Sequence, residues 1–199
     1  MEKIKDYAKE ITEIRSMMER SSKFMLLSGW AGIIAGLIAI AGTFSAFKFL
    51  HFVPTTIFYE ASTNVLWLAL AVLTIALTVA VYCSYSKAVK RGEKLWNPTT
   101  RRMLFSLSVP LITGALIIII LIINGLNGLI APFTLIFYGL ALFGGGYHTL
   151  PEVKVLGLVE ILLGILALFI IKYSLIFWAT GFGLSHIIYG IYIHLKYEK

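Results

Sequence analysis

The sequence predicts an all-α integral membrane protein: a six-transmembrane-helix bundle preceded by an amphipathic N-terminal helix. Three observations predict it. Of the 199 residues, 59% are hydrophobic and only 14% charged, where soluble domains are about one quarter charged. The charges fall in blocks, and six of the uncharged runs between them are long enough to cross ~30 Å of hydrocarbon at ~1.5 Å per helical residue. The 17 Lys and Arg residues are divided very unequally between the two sets of loops that those runs define.

Residues 1–24, MEKIKDYAKEITEIRSMMERSSKF, space Ile4, Tyr7, Ile11, Ile14 and Met18 by threes and fours, which draws one apolar stripe along a helix. The opposite face mixes acids with bases and is nearly neutral. Such a cytoplasmic helix suits the membrane surface or the protein's own bundle. The alternative is a seam, either between copies in a homo-oligomer or with a cytosolic protein partner.

Residues 25–199 form the transmembrane domain, with spans near 25–47, 63–84, 104–123, 129–148, 154–172 and 175–195. The third runs from Ile117 through Ile123 without a polar side-chain atom, so burial or lipid is its environment. The links after the third and fifth spans are only a few residues long, which makes spans three and four, and five and six, antiparallel hairpins. Between the second and third spans, SKAVKRGEKLWNPTTRRM has a helix stop at Gly92 and a helix restart at Asn97-Pro98-Thr99-Thr100. Its Lys87, Lys90, Arg91, Lys94, Arg101 and Arg102 are what a cytoplasmic loop carries. They are also suited to anionic lipid head groups or a partner. No recognition module surrounds them, so nucleic acid is not an expected ligand. Residues 48–62, KFLHFVPTTIFYEAS, are too aromatic for a free loop and belong in the outer interface.

With the N-terminus inside, fifteen basic residues fall on the cytoplasmic side and only Lys48 and Lys172 outside. This predicts a multi-pass protein of the cytoplasmic (inner) membrane with both termini cytoplasmic. The first apolar run is too long for a signal-peptide core and reads as a retained anchor.

The chain carries no GxxxxGK[ST] phosphate loop, HExxH, GxSxG or GxGxxG motif in a suitable context, and no enzymatic site is expected. Cys83 is alone. A single acid with a single histidine lacks the three or four ligands that zinc takes, and no two histidines lie at matching depth on facing helices for haem. Neither metal nor cofactor is expected. The tryptophans and the many tyrosines read as interface anchors or packing.

What remains is polar content inside the spans, which is expensive there and marks function. Glu160 lies deep in the fifth span and His186 in the sixth. Both are thirteen residues from Tyr173, at the centre of the tight turn, so an antiparallel hairpin puts them at one depth. Folding about Tyr173 also sets Gly157 opposite Gly190, and Gly164 opposite Gly183, to within one residue, and glycines at facing positions let backbones approach. The same folding pairs Glu152 with His194 at the cytoplasmic mouth. A glutamate that shares a proton with neutral imidazole needs no net charge in hydrocarbon. The pair reads as a proton-accepting or ligand-accepting site reached through Glu152 and His194, or as a hydrogen-bonded clamp that sets helix register.

In the first span, Gly29, Gly32 and Gly36 repeat the spacing of Gly157, Glu160 and Gly164, so that GWAGIIAGLIA stands beside GLVEILLGILA. With GFGLSHIIYGIYIHLKY following, and LWNPTTRR in the basic loop, most of the chain resembles a family of uncharacterised bacterial six-span membrane proteins. That resemblance implies the six-span fold and no activity. More distantly, the glycine-spaced hairpins are similar to acid-resistance HdeD-like membrane proteins, although this chain lacks the proline that usually follows each first helix in that group. The sequence thus points to a small polytopic membrane protein that binds or moves a proton or small polar ligand through Glu160 and His186. The alternative is a structural or regulatory module acting on a partner or anionic lipid through its N-terminal helix and basic loop.

Overall fold

The computed structural model describes residues 28–59, 62–90, 92 and 96–198; the amphipathic helix expected over 1–24 lies outside the described residues. Within them all regular structure is helical: α1 (Gly29–Phe49), α2 (Thr63–Lys90), α3 (Pro98–Ile123), α4 (Ile130–Gly145), α5 (Pro151–Phe169), α6 (Ser174–Trp178) and α7 (His186–Tyr197). Single 3-10 turns at Asn127–Leu129 and Ile171–Tyr173 precede α4 and α6, and a π-helical stretch, Ala179–Ser185, joins α6 to α7. Five continuous helices are long and apolar enough to cross a membrane: Gly29–Phe49, Thr63–Lys90, Pro98–Ile123, Asn127–Gly145 and Ile171–Tyr197. That is the character of a multi-pass membrane protein. Helix α5 stands apart from these five because its 19 residues include Glu152, Lys154 and Glu160.

The helix ends follow local chemistry. Asn97 caps α3, its side-chain oxygen accepting from Thr100 N–H at 2.8 Å, and Pro98 occupies the first turn, where no N–H is needed. Helix α3 closes with Gly125 at φ +70°, Gly125 N–H bonded to Ile122 O (3.1 Å) and Leu126 N–H to Leu121 O (2.8 Å). This is the paired pattern that left-handed glycine permits at a helix C-terminus. Gly92, at φ +65°, follows the end of α2. Pro110 lies inside α3 and leaves Ser106 O without its helical donor; that carbonyl turns toward Gly144 of α4.

The helices pack in a row ordered α2, α1, α7, α5, α4, α3, so that α2 and α3 each rest on one neighbour. Ala88 is the only buried residue of α2. The interior lies where α7, α5 and α4 meet, around Leu135, Ile193, Glu160 and Ser174. The aromatic loop after α1 is tied down rather than lying free. Ile57 O accepts from Gly128 N–H at 3.1 Å, and Tyr59 O from the Asn127 side-chain amide at 2.9 Å, with Pro54 fully buried beneath.

Candidate functional site

Helix α5 turns Val153, Leu156, Gly157, Glu160, Gly164 and Ala167 inward, a spacing of threes and fours that forms one face. Glu160 belongs to that face and is therefore drawn inside with it, fully buried. Opposite stands His186, the first residue of α7, 7% exposed. Its Nδ1 is 3.4 Å from Glu160 Oε1, close enough for an ion pair but not aligned as a hydrogen bond. The same nitrogen is 3.0 Å from Gly181 O, and Nε2 is 2.9 Å from the hydroxyl of Tyr138 on α4.

This geometry assigns the hydrogens. A carbonyl only accepts, so His186 Nδ1 carries a hydrogen and donates to Gly181 O; Nε2 is then free to accept from Tyr138 O–H. Both nitrogens of the imidazole are thus engaged. Glu160 is the opposite: neither carboxyl oxygen has a hydrogen-bond partner among the described residues. Room for it comes from Gly181, where a Cβ would collide with Glu160 Oε2 and come within 2.5 Å of Leu135 Cδ2. Around the imidazole, Phe182 stacks at 6.0 Å between ring centroids and Tyr138 leans at 5.5 Å.

Three expectations need correction. Gly157 does not face Gly190, nor Gly164 Gly183. A Cβ on Gly157 would lie 2.7 Å from Gly139 O of α4, and one on Gly164 would lie 2.9 Å from Pro132 O. On the other side of the site, Gly190 and Gly183 of the last rod receive α1: a Cβ on Gly29 would be 2.5 Å from Gly190 O, on Gly32 3.1 Å from His186 O, and on Gly36 2.6 Å from Gly183 O. The glycines therefore pack α5 on α4 and α1 on α7, because the row places α1 and α4 on the sides of α7 and α5 that they line.

Second, Glu152 and His194 are not a pair. Glu152 Oε1 accepts from Lys196 Nζ at 2.7 Å and from Tyr197 O–H at 3.0 Å. His194 Nδ1 meets Glu198 Oε2 at 2.7 Å, one helical turn away. The other Glu198 oxygen takes Lys87 Nζ at 2.9 Å and the Gly29 N–H, at the start of α1, at 3.0 Å. Burial by itself would push the Glu198 carboxyl up, but the bonds from His194, Lys87 and Gly29 outweigh it and hold the group at about 2, below its usual 4.5. Nearer residues thus satisfy both members of the expected pair.

Third, Tyr138, read with the other tyrosines as an interface anchor or packing, is the hydrogen-bond partner of His186. A tyrosine at mid-span in IAPFTLIFYGLALFGG, beside a glycine, is the signal that could have found it. Of the basic residues singled out, Lys87 is drawn into the Glu198 cluster, while Lys90, Arg101 and Arg102 are exposed. Arg91 and Lys94 lie outside the described residues. Among the described residues, no three His, Cys, Asp or Glu side chains converge as a metal-ligand set. Comparisons of this chain with protein-family models, with curated proteins and with solved structures find no match.

Proposed function

We propose that the chain is a six-span protein of the cytoplasmic membrane, with both termini inside, that takes up and releases a proton at Glu160 and His186. One observation carries the reading: Glu160 is fully buried with both oxygens unpartnered among the described residues, beside a histidine whose two nitrogens are already engaged. A structural clamp spends its polar atoms on each other. Here the carboxyl group keeps unused hydrogen-bonding capacity next to the one side chain able to exchange a proton with it. The sixth crossing is supported by the length of α5, 19 residues or ~28 Å, and by its charges. Glu152 and Lys154 sit in the first turn, which leaves Glu160 as the only charge to be accommodated inside. The orientation is supported by the division of Lys and Arg between the loops.

The test is infrared difference spectroscopy on the reconstituted protein through a pH titration. A carboxylic-acid C=O band should appear and disappear with pH and be absent from Glu160→Gln. A wild-type spectrum without that band, or one in which Glu160→Gln retains it, overturns the reading. Exposure of Lys90, Arg101 and Arg102 favours a second role on anionic lipid. Flotation with anionic against neutral vesicles, with all three changed to Gln, tests it.

A further inference from the structure

We infer that the Glu160–His186 pair exchanges its proton with the end of the bundle that carries Glu152 and Lys196, through the hydroxyls of Tyr138 and Tyr189. This rests on the proton-binding reading and names its route. His186 has no third position: Nδ1 serves Gly181 O and faces Glu160 Oε1 at 3.4 Å, so a proton arriving from elsewhere enters at Nε2, which among the described residues is hydrogen-bonded to Tyr138 alone. Tyr189 stands one helical turn beyond His186 on α7. Its hydroxyl is buried and has no hydrogen-bond partner among the described residues. Tyr189 packs, together with Leu142 one turn beyond Tyr138 on α4, against Leu150 and Val153, which stand on either side of Glu152 in the chain. At that end Glu152 Oε1 holds Tyr197 and Lys196, while Glu152 Oε2 is buried and has no partner among the described residues. Both Tyr189 and Tyr197 pack against the apolar cluster of Leu150, Val153 and Ile193. Two orphaned polar groups thus share this apolar wall, and bridging water satisfies such groups.

The opposite direction holds a buried hydroxyl without a partner among the described residues, Ser174 Oγ, but no tyrosine or carboxyl group to relay a proton to it. Beyond Glu160, α5 continues as ILLGILALF without a titratable side chain, and the last rod offers none between Tyr173 and His186. Thr134 and Thr180 donate to carbonyls of their own helices at 2.7 and 2.9 Å. Helix α1 meets His186 through Gly32 and has no titratable group before Lys48, and α4 contributes Tyr138 alone.

The step conserves protons. Starting from ionised Glu160, Tyr138 O–H passes its proton to Nε2 while its oxygen takes one from the Tyr189 side, and Nδ1–H passes to a Glu160 oxygen. One proton enters, one O–H bond forms on Glu160, and the imidazole ends neutral in its other tautomer. Release is the reverse.

The experiment follows the Glu160 band after a pH jump in the full-length reconstituted protein. Tyr189→Phe and Tyr138→Phe each keep the ring and remove the hydroxyl. Each should slow protonation about tenfold or more, while leaving the band in place at equilibrium. Thr180→Val should leave the rate unchanged. Wild-type rates in both tyrosine variants, or slowing by Thr180→Val instead, overturn the route while leaving the band, and hence the proton-binding reading, intact. Should a tyrosine variant fail to fold, single cysteines in a Cys83→Ser background decide. Tyr189→Cys should react with a water-soluble thiol reagent and Ala167→Cys should not; the reverse pattern overturns the route.

Discussion

Gly157 and Gly139 press backbone against backbone: a Cβ on either would lie 2.7 or 2.6 Å from the carbonyl oxygen of the other. Gly29 and Gly190 repeat the relationship at 2.5 Å in both directions. The likeness extends along the helices. Gly164 is set against Ile136 and Pro132 O, and Gly36 against Ile187 and Gly183 O. The α4–α5 and α7–α1 contacts are therefore two versions of one interface. In it Glu160 occupies the position of Gly32, and Leu135 that of His186. Both Gly32 and Glu160 touch His186, the first at its backbone carbonyl and the second at its ring.

Close approach makes these glycines intolerant. Gly157→Ala would drive a methyl into Gly139 O and Phe143 N, both backbone atoms. It should destabilise the protein by about 1–3 kcal/mol, the usual cost of overpacking. Gly144→Ala meets only Ser106 atoms at 3.4 and 3.5 Å and should be neutral, or stabilising by up to about 1 kcal/mol through helix propensity. Thermal unfolding in detergent checks both; equal losses would contradict the packing described.

Gly181→Ala collides with side-chain atoms rather than backbone: Glu160 Oε2 and Leu135 Cδ2. It should lower stability by about 1–3 kcal/mol, and part of the loss should vanish in a Glu160→Ala background. A double-mutant cycle should give a coupling of about 1 kcal/mol. Strict additivity would mean that the Glu160 carboxyl group does not lie against Gly181.

The Glu198 cluster predicts an acid-dependent term. Its folded value of about 2 lies below the ordinary 4.5, so the contribution is complete above 4.5 and fades as pH falls toward 2. Glu198→Gln should lower stability at neutral pH by about 1.5–3 kcal/mol, the range for hydrogen bonds to a charged group. The gap between wild type and variant should close as pH falls through that window. A gap that stays constant would mean that the carboxylate charge plays no part.

The proposed orientation is checked by reporter fusions: one after Lys94 should read cytoplasmic and one after Asn124 external. Reversed signals would invert the assignment.

The helix runs and the approach of Glu160 to His186 are legible in the sequence, because both depend on local counting: run length in one case, distance from a tight turn in the other. The glycine partners are not. Every glycine offers the same shallow surface, and which neighbour fills it depends on the order of helices in the row, a non-local property. Glu152 and His194 show another limit, since Lys196 and Glu198 lie near enough to capture each of them first. Tyr138 is hidden because tyrosines near span ends resemble it in sequence and differ only in depth.

The π-helical stretch Ala179–Ser185 interrupts the α-helical winding of the last rod, whose first part packs on α5 and α4 and whose second part packs on α1. It acts as an angular setting between the two. Gain or loss of a single residue there would turn everything beyond it by about 100°, swinging His186 away from Glu160 and Gly190 away from Gly29 in one movement. Side chains in this stretch can vary wherever space allows. Its length cannot, since the count of residues alone keeps the two halves of the rod in phase.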